Sequence, residues 1–356
     1  MFQDSTITIR SAVLALLLSL IIASASQPRP GSFLKRHGDE IVVAGQFVHI
    51  GTRVVLWMDP AGYDAYRVER RFSPFDKADW ESSQAEVKEL TSPNRYNLRR
   101  NSLTEEEIER VRGGGWDLPT LQKVVDQFVI HFDACGTSRQ CFNVLQDHRG
   151  LSVHFMLDLD GTIYQTLDLK ERAWHATSSN TRSVGVEIAN IGAYAPAEKN
   201  PLDQWYQHEP DGTTRLSIPA RYGDGGLLTK GFVGHSARAQ AISGTLQGKE
   251  LIQYDFTPEQ YAALIKLTAA LVQVLPRITC DYPKDANGRL LLEKMPDDQL
   301  KAYQGVLGHF HIQKEKVDPG PAFQWEYVLS RARRFLHGGM SEPADQTSKG
   351  HMRARD

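Results

Sequence analysis

The chain has little cysteine, no excess of either charge and almost no apolar sequence long enough for a membrane. Three cysteines in 356 residues are too few to staple a small secreted scaffold. Lys+Arg number 41 and Asp+Glu 43, a net charge of −2. Dedicated nucleic-acid binders carry a basic excess, so no nucleic-acid partner is expected. Hydrophobic residues at 41% and charged residues at 24% exclude wholesale disorder. There is no His-Glu-x-x-His pattern, no Cys-x-x-Cys pair and no internal repeat. The commonest zinc signatures and the solenoid architectures are therefore out.

One apolar run exists, Ser11 to Ile22 behind Arg10. It is short for a span, which takes about 20 residues. Ala23-Ser24-Ala25 follows, a small-x-small pattern that signal peptidases accept. Residues 1–25 thus read as a signal peptide, leaving no stable membrane span after cleavage. No cysteine stands near the cleavage site, which argues against a lipoprotein. The expected location is exported, periplasmic or secreted, where disulfides persist.

What is present is an ordinary alternation of strands and helices. Residues 26–120 read as a β-rich extension, with β-branched runs at Ile41-Val42-Val43, Phe47-Val48-His49-Ile50 and Val54 to Met58. Residues 72–102 are polar and hard to place. Thr104-Glu-Glu-Glu107 is a capping box for a short helix that Gly113-Gly114-Gly115 ends, and another helix runs from Pro119 into Val125. Phe128 to Phe132 reads as a buried strand, and Thr137-x-x-Gln140 caps a helix through His148. Strands follow at Leu151 to Leu157 and Thr162 to Leu167, joined by an Asp160-Gly161 turn. Ser183 to Ile188 is a further strand. Residues 192–252 show no sustained period and read as a long, functional loop. Thr257-x-x-Gln260 caps a helix to about Val274, a last helix follows Pro321, and 338–356 read as a disordered tail.

Strand side chains alternate faces. His131 lies opposite Phe128, Ile130 and Phe132. His154 lies opposite Val153, Phe155 and Leu157. Glu187 shares its face with Gly185 and Ala189, which leave open space around it. His131, His154 and Glu187 are thus placed to line one concavity. A second polar cluster is Gly308-His309-Phe310-His311 with Lys316-Val317-Asp318-Pro319-Gly320-Pro321. His and Asp suit zinc, and three protein ligands leave a fourth position for water. On spacing alone the zinc reading is weak, and the plainer one is a Pro/Gly turn carrying a charge and two surface histidines.

Taken together, Val129-Ile130-His131, Ser152-x-His154-Phe155, Asp160-Gly161, Ala173-Trp174-His175-Ala176, Val184-Gly-Val-Glu187-Ile188 and Gly308-His309…Lys316-x-Asp318-Pro-Gly-Pro-Ala-Phe323 resemble zinc-dependent N-acetylmuramoyl-L-alanine amidases. These are the type 2 amidases related to anhydro-muropeptide amidases and peptidoglycan recognition proteins. The resemblance covers about residues 125–336. It implies an α/β fold with a mixed central β-sheet flanked by helices, preceded here by the small β-rich N-terminal section. The implied organisation is a signal peptide at 1–25, an extension of unknown role at 26–120, a zinc amidase domain at 121–337 with an insertion at 192–252, and the tail.

The resemblance implies one Zn2+ per chain on His131, His309 and Asp318. His311 stands as a second candidate beside His309. Glu187 takes the place of the catalytic acid and Lys316 that of the catalytic lysine. Trp174, His175 and His154 are implied at the substrate groove. The implied partner is peptidoglycan or muropeptides, cut at the amide between N-acetylmuramic acid and L-alanine. A non-catalytic peptidoglycan-binding receptor on the same fold is the alternative. Recognition proteins also carry a cysteine pair at this place, implying a Cys135–Cys141 disulfide with Cys280 unpaired.

Overall fold

The structure is a computed structural model that describes residues 29–87, 90 and 92–338. The expected signal peptide, and the tail from 339 onward, lie outside the described residues. The chain divides after His37. Residues 29–37 hold a turn closed by Ser32 N–H donating to the Arg29 carbonyl at 3.0 Å. The rest forms one unit from Gly38.

Among the described residues the strands run β1 (Glu40–Val43), β2 (Gln46–His49), β3 (Val54–Leu56), β4 (Tyr96–Leu98), β5 (Gln127–Phe132), β6 (Phe155–Leu157), β7 (Ile163–Gln165), β8 (Glu171–Ala173), β9 (Ser183–Ile188), β10 (Tyr206–His208), β11 (Thr214–Leu216), β12 (Ile242–Leu246), β13 (Lys249–Gln253) and β14 (Gly305–Gly308). Six of them make a mixed sheet in the order β14-β5-β9-β6-β7-β3. β5 lies parallel to both β14 and β9. β9 is parallel to β6, and β6 is antiparallel to β7. The mixed α/β sheet flanked by helices is as expected.

The register explains how the sheet presents polar residues. His131 sits directly opposite Glu187 across β5 and β9, while Ile130 pairs with Val186. Phe128, Ile130, Phe155, Val184 and Val186 enter the main core, all with no exposed surface. At about 1.5–3 kcal/mol for each fully buried large side chain, this face pins the register. A slip by one residue would drive His131 and Glu187 into the core.

The helix Pro258–Val274 covers that core. Thr257 and Gln260 form its capping box. Gln260 also donates to the Ala189 carbonyl at 2.7 Å and the Leu157 carbonyl at 3.4 Å. It thereby ties the ends of β9 and β6. The helix Trp325–Leu336 packs against it.

Residues from the N-terminal section build into the same unit. β3 is an edge of the main sheet, and β4 pairs antiparallel with β8. Ile41, Val42 and Val43 enter the main core, and Gln165 bonds both Val42 N–H and its carbonyl at 2.7 and 2.8 Å. The stretch 192–252 is not the plain loop its composition suggests. It holds a helical turn Leu202–Trp205 and the hairpins β10–β11 and β12–β13. Elements of three to five residues are too short to carry a legible period. Trp205 anchors a separate apolar cluster there. No helix among the described residues is long and apolar enough to cross a membrane.

Candidate metal centre

Three elements meet at the ends of β5 and β14. His131 is the fifth residue of β5. His309 starts the 3-10 turn His309–His311, directly after β14. Asp318 lies on the return loop, whose backbone is held by Phe310 N–H donating to the Asp318 carbonyl at 3.2 Å. Parallel pairing of β14 with β5 therefore brings together residues nearly 180 positions apart. One carboxylate oxygen, Oδ2 of Asp318, lies 2.8 Å from His131 Nδ1 and 3.1 Å from His309 Nδ1. All three residues are buried.

Burial alone would push the Asp318 carboxyl up. The charge and hydrogen bonds of His309 and His131 outweigh it and hold it well below the usual carboxylate range. Burial draws His131 down to about 4, against the pull of Asp318, so its imidazole is neutral at neutral pH. One carboxylate and two imidazoles, with ligand atoms all within 4.8 Å of one another, form a donor set that suits zinc. It leaves room for a fourth ligand.

Glu187 is half-buried and lies across the ladder from His131. Its carboxylate makes no hydrogen bond or ion pair among the described residues. Burial, and then the charges of Asp318 and Asp133, push it well above the ordinary carboxylate range, while Lys316 opposes them. Lys316 is half-buried two residues before Asp318, and its charge acts on both Glu187 and His131.

The other expected site residues divide. His311 stands apart from the group. Its Nδ1 accepts from Gly308 N–H at 2.9 Å, and its Nε2 donates to the Leu291 carbonyl at 2.9 Å. Its ring lies tilted by 37° against Phe310, with centroids 3.9 Å apart. Both nitrogens are used by backbone, which leaves His309 as the ligand candidate. His154 departs from its expected place on the groove: it has no exposed surface. Its Nδ1 accepts from Gly185 N–H at 3.2 Å, and its Nε2 lies 3.0 Å from both the Glu171 carbonyl and Arg99.

Trp174 and His175 are half-buried, and His175 Nδ1 lies 3.0 Å from His131 Nε2. The Trp174 indole N–H is buried without a partner among the described residues. The space over Gly185 is not open, because the His175 ring fills it. A Cβ on Gly185 would stand 2.5 Å from that ring. Cys135, Cys141 and Cys280 are all free thiols. The expected 135–141 bridge is not formed in this structure, although contact with Cys135, together with burial, raises the Cys141 thiol.

Residues 121–250 match the family described as N-acetylmuramoyl-L-alanine amidase. This stretch is similar to that amidase family. His131 and Glu187 fall inside the matched stretch, and His309, Lys316 and Asp318 lie beyond it. Among solved structures, a selenomethionine derivative of AmpD is 17% identical, with 69% of this chain and 94% of that one covered at a TM-score of 0.30. The amidase AmiD from E. coli, in complex with the substrate anhydro-N-acetylmuramic acid-L-Ala-D-gamma-Glu-L-Lys, is 18% identical, with 58% and 57% covered at 0.31. The endolysin amidase LysCS from Clostridium intestinale is 13% identical, with 60% and 86% covered at 0.30. Comparison with curated proteins finds no match.

Sequence reasoning missed two contributors. Arg99, from the polar stretch before the first capping box, is fully buried behind the site and donates to the carbonyls of Leu169, Asn180, Thr181 and Ser183 at 2.8–3.3 Å. Gln313 accepts from His309 Nε2 at 2.6 Å. Neither is marked by a motif. Arg99 reads as a surface charge, and Gln313 sits in an ordinary polar loop.

Proposed function

We propose that this chain is an exported, zinc-dependent N-acetylmuramoyl-L-alanine amidase. It hydrolyses the amide between the lactyl group of N-acetylmuramic acid and L-alanine, in peptidoglycan or in muropeptides released from it. The observation that carries this reading is the convergence of His131, His309 and Asp318 on one carboxylate oxygen, with Glu187 across the ladder and Lys316 beside it.

His131, His309 and Asp318 would hold the ion. When bound, it would supply Lewis-acid polarisation of the amide carbonyl and acidify water. Glu187 accepts the proton of the attacking water and returns it to the leaving L-alanine amine. Burial raises its proton affinity, which favours taking up that proton. Lys316 places its ammonium where negative charge develops on the carbonyl oxygen. Trp174, half-buried beside His175 in the chain, would line the substrate groove. Export, and closure of the neighbouring Cys135–Cys141 pair in an oxidising compartment, belong to the same proposal.

The test is Glu187→Gln, assayed by mass spectrometry of peptides freed from purified peptidoglycan. The variant keeps zinc and fold, because Glu187 holds no structural hydrogen bond. It loses turnover by about 10²–10⁴-fold, the usual contribution of a general acid–base group. Free peptides should begin at L-alanine. Near-wild-type turnover in the variant, or products cut elsewhere, would falsify the reading.

A further inference from the structure

The metal-facing nitrogen of His131 is Nδ1, the atom turned to Asp318. Its other nitrogen, Nε2, does not reach solvent, backbone or a carboxylate. It meets His175 Nδ1 at 3.0 Å. His175 Nε2 in turn meets Ser183 Oγ at 3.2 Å. A metal-ligating histidine is aimed by the partner of its far nitrogen, and that partner also fixes which nitrogen carries the proton. Here that partner is another imidazole, and the line ends on a hydroxyl.

The hydroxyl end has a specific use. With no cation at Nδ1, His131 Nδ1–H donates to Asp318, so Nε2 must accept from His175 Nδ1–H. His175 Nε2 must then accept from Ser183 O–H. With a cation at Nδ1, every bond in the line reverses: His131 Nε2–H donates to His175, and His175 Nε2–H donates to Ser183 Oγ. A hydroxyl can donate or accept, so Ser183 satisfies both arrangements without moving. An alanine satisfies neither.

The surroundings hold the His175 ring to this task. Its backbone N–H and that of Ala176 both donate to Asn180 Oδ1, at 3.0 and 2.6 Å. Its flank rests on Gly185, where any Cβ would intrude at 2.5 Å. Gly185 is itself fixed by its N–H donating to His154 Nδ1.

We infer that His175 is a positioning residue for the metal ligand His131, with Ser183 as the reversible end of the line, and not a substrate-lining residue. The inference rests on the proposed metal reading of the same site and deepens it.

The measurement is the equilibrium affinity for zinc alone, by competition against a chelator, with melting of the metal-free protein recorded beside it. His175→Ala should weaken zinc by about 10–100-fold, as loss of an outer partner does. His175→Asn carries an amide in the place of Nδ1 and should recover part of that loss. Ser183→Ala should weaken zinc in the same direction by a smaller factor, and it decides the matter if the His175 variants fail to fold. Wild-type affinity in His175→Ala or in Ser183→Ala overturns the inference. So does an Asn variant no better than Ala, because the loss would then come from packing. A wild-type chain that takes no zinc overturns the metal reading and this inference with it, whereas zinc held equally by all variants overturns the inference alone.

Discussion

Two sets of buried histidines lie in this molecule, and their partners separate them. His154 and His311 engage backbone groups through both ring nitrogens. Each is a polar spacer whose hydrogen bonds are complete, and burial draws both down to about 3. His131 and His309 instead turn one nitrogen each toward the same carboxylate oxygen. Residue type and burial are shared by the two sets. What differs is whether the ring's lone pair is spent on the backbone or shared with a second donor around one point. Removing a histidine of the first set is expected to cost folding energy, and removing one of the second set to cost metal binding.

That contrast is sharpest at His309 and His311, two residues apart on one turn. His309→Ala should abolish zinc retention and lower turnover by at least about 10²-fold, since it removes one of three ligands. His311→Ala should keep about one zinc per chain. It should lose roughly 1–3 kcal/mol of stability, because the Gly308 N–H and the Leu291 carbonyl lose their partner in the interior. Metal analysis and urea unfolding of both variants check this together. If His311→Ala loses the metal while His309→Ala keeps it, the division is reversed and the ligand set is wrong.

The backbone-satisfied set extends to Arg99. Its guanidinium spreads its donors over four carbonyls from two segments, around Leu169 and around Asn180 to Ser183. Burial draws it down to about 9, so it stays charged at neutral pH. Arg99→Met should cost about 3 kcal/mol or more, since several buried carbonyls are orphaned at once. Denaturant titration measures it, and a loss below about 1 kcal/mol would show that these carbonyls find other partners.

Much of the fold was legible because β5 and β9 alternate cleanly. Val184, Val186 and Ile188 could only face a core, which put Glu187 on the other side, and the register set it against His131. β14 was not legible. Gly305-Val-Leu-Gly308 is four residues with a glycine at each end, and no periodicity survives at that length. Yet it is the strand that delivers His309. The His309 and His311 roles were also beyond the sequence, since they depend on a Leu291 carbonyl twenty residues upstream of His311. Gly185 was misread for a related reason. A missing side chain marks free space or close approach equally well, and here the approaching group is His175 from the preceding loop. Arg99 was lost because a charge in a polar stretch looks solvated until non-local carbonyls surround it.

A third kind of buried group tests the contrast most finely, because its bonding is incomplete. Asp158 has no exposed surface. Its Oδ1 accepts from Ser138 N–H at 3.2 Å and from Leu159 N–H at 3.0 Å. Its Oδ2 has no hydrogen-bond partner among the described residues. Burial raises this carboxyl to about 8, against the pull of the two amides. A carboxyl raised on folding binds its proton more tightly in the native state than in the unfolded chain. Its contribution to stability is therefore full below about pH 4, the unfolded value, and is lost as pH climbs toward about 8. The slope from one such group cannot exceed about 1.4 kcal/mol per pH unit. Asp158→Asn removes the titration while keeping an oxygen for the two amides. Stability of the wild type, measured by urea unfolding from pH 5 to 8, should fall more steeply than that of the variant. Parallel curves would mean that Asp158 is ionised throughout, and that its second oxygen has found water which the incomplete bonding implies it lacks.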